Sequence, residues 1–271
     1  MMNNFVKRTL TGILFVVVVL GSIYLSKYSF IVLFFLINLF TLFEFYSRSE
    51  NKPLKNIHAM GLLSSSSFFI LLAFWQLGWI QAKYLLISAP LLFSIFIIAL
   101  NDKDKNVFIR LGKIFTGLFL ITLPLSLLLW FVFEKGTYIW QLAAIPLVLT
   151  WINDVFAYLG GMLFGKHKLA AKLSPKKTVE GFTIGLLFTI IGALAISWYA
   201  GAESIIIWVI LGLIISISAV LGDLVESKWK RELGIKESGN MLPGHGGLLD
   251  RFDAFLFVIP FYVIFIKLFV S

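Results

Sequence analysis

Long apolar runs separated by short polar segments recur along this chain. A helix needs roughly 20 apolar residues to cross the hydrocarbon of a bilayer. By that measure the runs at 9–26, 28–47, 59–76, 79–100, 112–133, 138–163, 181–200, 204–225 and 250–270 predict nine spans. Only Ser26 and Lys27 separate the first two. The sixth run carries Asn153 and Asp154 near its end, the eighth ends in Asp223, and the ninth begins at Asp250. The pattern therefore predicts an all-α integral membrane protein with about nine transmembrane helices. It is a single polytopic domain over 1–271, with a helical scaffold over 1–133 and a catalytic region over 138–271. No repeat of solenoid length is present. The run Ser64 to Ser67 reads as a helix-packing surface, because small residues permit close approach.

Loop charge orients the spans. With the N-terminus in the cytoplasm, the cytoplasmic segments hold Lys7, Arg8, Arg48, Lys52, Lys55, Lys103, Lys105, Arg110, Lys113, Lys166, Lys168, Lys172, Lys176, Lys177, Lys228, Lys230, Arg231, Lys236 and Arg251. Only Lys27, Lys83, Lys135 and Lys267 fall on the other side, along with the C-terminus. This bias follows the positive-inside rule, and losing a span would scramble it. The first run, preceded by Lys7 and Arg8, has no small-residue cleavage site and reads as a retained span.

Composition agrees and narrows the chemistry. Charged residues make up 14% of the chain, against about 25% in soluble domains. There are no cysteines, which excludes disulfides, thiolate metal sites and cysteine nucleophiles. The net charge of +9 points to acidic lipid head groups or a polyanionic substrate. Nucleic acid is a poor partner, because the basic residues sit in short inter-span loops without a binding module. The 28 phenylalanines read as lipid-facing bulk rather than a cofactor box.

Three polar constellations remain, all on the predicted cytoplasmic side. In the first, Asp154 lies inside its apolar run with Tyr158 four residues on, on the same helix face. An ionisable group there must face the bundle or a watery cavity. Gly160, Gly161 and Gly165 follow, and close helix packing alone accounts for them. The second runs Lys172, Leu173, Ser174, Pro175, Lys176, Lys177, Thr178, Val179, Glu180, Gly181. Ser174 and Pro175 read as a helix start, where free N–H groups and flanking lysines suit phosphate. The third holds Asp223 and Glu226 at i, i+3, a spacing that Asp250 and Asp253 repeat at the next span. Such oxygen ligands select a hard cation, Mg²⁺, which binds substrate phosphates. Asp250 and Asp253 could serve the helix dipole alone, but Asp223 and Glu226 end a helix, where carboxylates are disfavoured. Lys228, Lys230, Arg231, Lys236 and Arg251 supply charge for phosphates, and Gly244 to Gly247 lets backbone approach a ligand closely. Glu44, near the cytoplasmic end of the second span, either snorkels to the interface or reaches into the polar site. No Walker-type phosphate loop is present.

These segments also resemble a family. Ser227-Lys228-Trp229-Lys230-Arg231, Lys236-Glu237 and Pro243-Gly244-His245-Gly246-Gly247-Leu248-Leu249-Asp250-Arg251-Phe252-Asp253 are similar to the signature of the phosphatidate cytidylyltransferases. Asp154 to Tyr158 and Ser174 to Gly181 look like further family motifs, so the likeness covers about the C-terminal half. Glu237 departs from the pattern, standing where the family usually has Asp. The resemblance implies that CTP and phosphatidate give CDP-diacylglycerol and pyrophosphate, in a multi-span membrane protein that is frequently a homodimer. It implies a cell-membrane location with the site facing the cytoplasm. Its cofactor is Mg²⁺, with a second cation such as K⁺ admitted by the resemblance. Asp223 and Asp250 are then expected on the metal, with Glu226, Asp253 and Asp154 supporting. Lys176, Lys177, Lys228, Arg231, Arg251 and Lys236 are expected to hold the phosphates. Ser174, Thr178, Glu180, Ser227, Tyr158, Gly246, Gly247 and the loop around His245 would complete the substrate site.

Two other readings compete. A CTP-dependent polyprenol or phytol kinase would release CDP rather than pyrophosphate. A transporter of phosphorylated solutes would carry its ionisable groups near mid-bilayer on broken helices, whereas the acids here cluster at helix ends. Asp223→Asn or Asp250→Asn should abolish turnover of CTP and phosphatidate by purified protein that remains inserted and folded. Wild-type rates in both variants would contradict the assignment.

Overall fold

A computed structural model describes residues 4–49, 56–102, 105–134, 136–201, 204–239, 241 and 246–270, the side chains of 4–10 excepted. His245, Pro243, Gly244, Lys52, Lys55, Lys103 and Lys135, with the side chains of Lys7 and Arg8, lie outside the described residues. In chain order the helices are α1 (Asn4–Leu25), α2 (Lys27–Ser49), α3 (Asn56–Gln76), α4 (Ser88–Leu100), α5 (Val107–Gly117), α6 (Leu123–Phe131), α7 (Gln141–Phe164), α8 (Val179–Ala200), α9 (Ile205–Glu232) and α10 (Leu249–Phe269). Two small antiparallel hairpins pair β1 (Phe133–Glu134) with β2 (Thr137–Tyr138), and β3 (Lys168–Ala170) with β4 (Ser174–Thr178).

Eight helical segments among the described residues are long and apolar enough to cross a membrane, and the apolar part of α1, Thr11–Leu25, is shorter. The expected count of about nine is close to this, and the protein is a multi-pass membrane protein. The differences lie in how two spans are built. The fourth begins as a 3₁₀ turn over Ala82–Ile87 before α4. Pro90 explains the change: without an N–H it cannot donate back one α turn, and its ring crowds that carbonyl. The fifth span begins at Val107, ahead of the expected 112, and passes through a π turn at Leu118–Thr122 just before Pro124. That turn widens the ladder where proline has no donor.

The chain divides into two compact units, Met1–Trp140 with Glu237–Arg251, and Gln141–Lys236 with Phe252–Ser271. In the first, α2, α3 and the π turn share a buried polar chain. Asn38 Nδ2 donates to Ser65 Oγ at 2.8 Å, and Ser65 Oγ lies 2.8 Å from Thr122 Oγ1. Ser64 Oγ donates to the Leu91 carbonyl on α4 at 2.9 Å. The serine run thus does pack against neighbouring helices. Each such bond contributes roughly 0.6–2 kcal/mol in a membrane protein. Arg110, expected ahead of the span at 112–133, and Lys113, expected at its start, both stand in the first two turns of α5. Arg110 pairs with Asp102, and Lys113 Nζ donates to the Ser49 carbonyl at 2.6 Å.

In the second unit α7 and α8 pack backbone to backbone through glycines. A Cβ on Gly181 would stand 2.6 Å from the Ala157 carbonyl, and one on Gly185 would stand 2.9 Å from the Asn153 carbonyl. Phe156 and Phe188 stack 3.7 Å apart across the same pair. Gly201, at φ 64°, takes the left-handed turn that ends α8. Gly222 brings α9 against α10, where a Cβ would meet that of Phe257 at 2.6 Å. Gly185→Val should destabilise the protein by roughly 1–3 kcal/mol through overpacking. Gly112→Ala, whose added methyl meets nothing within 4 Å, should be neutral or slightly stabilising. Thermal unfolding in detergent compares the two, and equal midpoints would contradict the close-packing account.

Candidate functional site

In the second unit, α9 runs on past its apolar stretch to Glu232, so Asp223, Glu226, Ser227, Lys228, Lys230 and Arg231 all ride one helix. The i, i+3 spacing puts Asp223 and Glu226 on one face. The first turn of α10 adds Asp253, and one oxygen from each of the three lies within 4.8 Å of the others. Two unit charges at that separation repel by roughly 3.5 kcal/mol at an effective dielectric near 20. Two lysines offset this. Lys177 Nζ stands 2.5 Å from Asp223 Oδ2, and Lys230 pairs with the buried Glu226. Ser227 Oγ donates to Asp223 Oδ1 at 3.2 Å. Asp253 Oδ1 accepts from the Ala254 N–H at 2.7 Å.

Lys177 arrives on the β3–β4 hairpin. Ser174 and Pro175 do not start a helix, as their order predicts; they lie in β4, opposite β3. A proline is tolerated on an outer strand of a two-stranded hairpin, where a missing donor costs no ladder bond. The helix starts instead at Val179, with Thr178 as its cap: Thr178 Oγ1 accepts from the Gly181 N–H at 3.1 Å. Glu180 closes the base of the hairpin, accepting from the backbone of Lys166 at 3.0 Å and of His167 at 3.1 Å. The His167 ring nitrogen lies 2.6 Å from the same carboxylate. At the far end, Arg231 Nε donates to the Leu173 carbonyl at 3.3 Å. Between hairpin tip and α9 lies a cavity of about 630 Å³ lined by Ala170, Ala171, Lys172, Leu173, Lys228 and Arg231. Lys172 and Arg231, with Lys228 paired to Glu232 at 3.1 Å, put positive charge around one cavity, which suits an anionic ligand. Lys176 is exposed on the same hairpin, and Lys236 is exposed beyond α9.

On α7, Asp154 accepts from Asn153 Nδ2 at 3.3 Å, while Asn153 Oδ1 accepts from Ser216 on α9 at 2.7 Å. Asp154 and Tyr158 are both exposed. Ser216, buried in an apolar stretch, was missed by sequence reasoning, since nothing in its surroundings sets it apart from an ordinary packing serine.

In the first unit, Asp250 opens α10 and its carboxylate accepts two backbone bonds. The Ser238 N–H donates at 3.0 Å and the Gly247 N–H at 2.9 Å. Gly246, at φ 84°, needs the left-handed conformation, and a Cβ there would stand 2.9 Å from Asp250 Oδ2. Arg251 is exposed. Glu44, left open between snorkelling and the polar site, is buried against this segment: its Oε2 accepts from the Leu249 N–H at 2.9 Å. Ser238 was not foreseen, because two of its partners, Arg48 and Glu44, lie 190 or more residues away in sequence.

Asp223 and Glu226 thus lie inside α9 rather than at its end, where the sequence predicts them, and together with Asp253 they form an acid group partly offset by Lys177 and Lys230, in a multi-pass membrane protein. The chain belongs to the Cytidylyltransferase family, whose profile matches residues 6–269, and is a nucleotidyltransferase. It is 33% identical over 256 residues to a phosphatidate cytidylyltransferase of Staphylococcus aureus (strain COL), covering 93% of this chain and 95% of that one. Proteins of the same description from Staphylococcus epidermidis and Staphylococcus haemolyticus are 31% and 33% identical, each over 93% of this chain and 95% of theirs.

Proposed function

We propose that this protein is a phosphatidate cytidylyltransferase that makes CDP-diacylglycerol and pyrophosphate from CTP and phosphatidate. The observation that carries the reading is the Asp223–Glu226–Asp253 group with Lys177 beside it. Asp253 and Lys177 lie on the motifs that resemble this family and Glu226 directly precedes one, in a chain alike along nearly its whole length to relatives so described.

The donor set fits a divalent cation. It offers only carboxylate oxygens, and three acids against two paired lysines leave net negative charge. Asp223, Glu226 and Asp253 would hold Mg²⁺, as oxygen-only sites do. When bound, the ion neutralises charge on the phosphates and polarises the phosphorus under attack. Asp250, a metal ligand by resemblance, is proposed as a further acid of the reaction, and a second cation such as K⁺ rests on the same resemblance.

A phosphate oxygen of phosphatidate attacks the α-phosphorus of CTP in line. The new O–P bond forms as the bond from that phosphorus to the bridging oxygen breaks, and pyrophosphate leaves with the electron pair. Protein groups need form no covalent bond; they position the reactants and oppose their charge. Lys172, Lys228 and Arg231 around the cavity, with Lys176, Lys177, Lys236 and Arg251, are proposed to hold the triphosphate and the lipid phosphate. Ser174, Thr178, Ser227, Tyr158 and the backbone at Gly246 and Gly247 are proposed to border the substrates, with Glu180 fixing the hairpin and Asp154 supporting the acids. His245 enters by resemblance alone.

The lipid tails keep the reaction at the bilayer surface; the cytoplasmic leaflet of the cell membrane is the proposed location, supported by the loop-charge bias, in a protein proposed to be a homodimer. Purified protein given CTP and phosphatidate should release pyrophosphate with Mg²⁺ present and lose at least 95% of that rate, a ΔΔG‡ of about 2 kcal/mol, in EDTA. Undiminished release in EDTA would overturn the metal assignment, and CDP in place of pyrophosphate would favour the lipid kinase.

A further inference from the structure

Ser238 is held at three atoms. Its N–H donates to Asp250, at 3.2 Å to Oδ1 and 3.0 Å to Oδ2. Its carbonyl accepts from Arg48 Nε at 2.9 Å. Its hydroxyl donates to Glu44 Oε2 at 3.4 Å. Glu44 and Arg48 are four residues apart on α2, so one helix face presents an acceptor and a donor to the same residue. The same Glu44 oxygen takes the Leu249 N–H. That N–H is one of the donors a helix leaves unsatisfied in its first turn. The carboxylate capping α10 therefore comes from a span 205 residues earlier in sequence.

Two glycines make room for it. A Cβ on Gly247 would stand 2.6 Å from the Gly239 nitrogen and 2.7 Å from Glu44 Oε2, and a Cβ on Gly239 would overlap the Glu44 carboxylate. Glu44 is 5% exposed, and its Oε1 has no hydrogen-bond partner among the described residues. A carboxylate buried with one oxygen unanswered is costly, so it persists where the bonds from the other oxygen outweigh that cost. Those bonds all run to residues that flank or hold Asp250.

We propose that Glu44, with Arg48, is a positioning residue of the reaction: it fixes Ser238 and the first turn of α10, and through them the direction of the Asp250 carboxylate. The proposal rests on Asp250 serving the transfer reaction. Glu44 acts as a hydrogen-bond acceptor, and its charge is secondary. Glu44→Gln keeps an acceptor oxygen at the same reach, whereas Glu44→Ala removes it and Glu44→Asp falls one methylene short.

The test uses full-length protein in detergent and reads amide exchange at Ser238, Gly247 and Leu249 beside steady-state kinetics. Glu44→Ala should speed exchange at Leu249 and Ser238 at least about tenfold, and lower kcat by at least about tenfold, with KM for CTP within about threefold. Glu44→Gln should restore both to within about threefold of wild type. Glu44→Asp replaces Glu44→Ala should that variant not fold. Asn38→Ala, which cuts a different buried bond of α2, should lower the unfolding temperature and leave exchange at these amides and kcat unchanged. Unchanged exchange in Glu44→Ala, or faster exchange with wild-type kcat, would overturn the proposal. So would Glu44→Gln being as inactive as Glu44→Ala with its amides still protected, since that marks a role for charge. A wild type that turns over no CTP would overturn the functional reading and the catalytic half of this one, leaving exchange to decide the hold on Ser238.

Discussion

A carboxylate at the edge of hydrocarbon has to be answered where it stands, and the chemistry of this protein is arranged around that requirement. Lys177 answers Asp223, Lys230 answers Glu226, and backbone N–H groups answer Asp250 and Glu44. Pairing Asp223 with Lys177 at 2.5 Å offsets part of the desolvation that an isolated charge would bear, and solvent screens the rest of the pair's attraction. The same neutralisation keeps three acids close enough together to hold a cation.

The scaffold serves this arrangement through close backbone contact. Glycines at 181 and 185 let α7 and α8 touch, and the cap at Thr178 starts α8 where that contact begins. The β3–β4 hairpin is then anchored at its base by Glu180 and at its tip by Arg231, which leaves Lys177 to project to the acids. A longer side chain at Gly181 would move α8, its cap and the hairpin together. Packing, capping and charge pairing are thus consecutive steps of one local structure.

Most of the spans were legible because hydrophobic length is a one-dimensional property and the bilayer sets its scale. The acid group was legible in part: Asp223 and Glu226 share a helix face by spacing alone, and Asp253 joins them in the structure. What the sequence hid depends on backbone geometry or on distant partners. Pro90 and Pro124 change the helix type nearby without ending the apolar run. Ser174-Pro175 has the look of a helix start, yet pairing with Lys168–Ala170 makes it a strand. Ser216 and Ser238 look like any small polar residue until Asn153 and Glu44 are brought to them. Glu44 itself stood out only as an acid in a span, and its partner Leu249 N–H has no sequence signature at all.

Cytidylyl transfer requires attack at the α-phosphorus of CTP. CTP labelled at the α-phosphate in one reaction and at the γ-phosphate in another, each given phosphatidate, Mg²⁺ and purified protein, tests it directly. The α-label should appear in the organic-soluble lipid product and the γ-label in pyrophosphate. Transfer of the γ-label into lipid, with the α-label left in CDP, would contradict it.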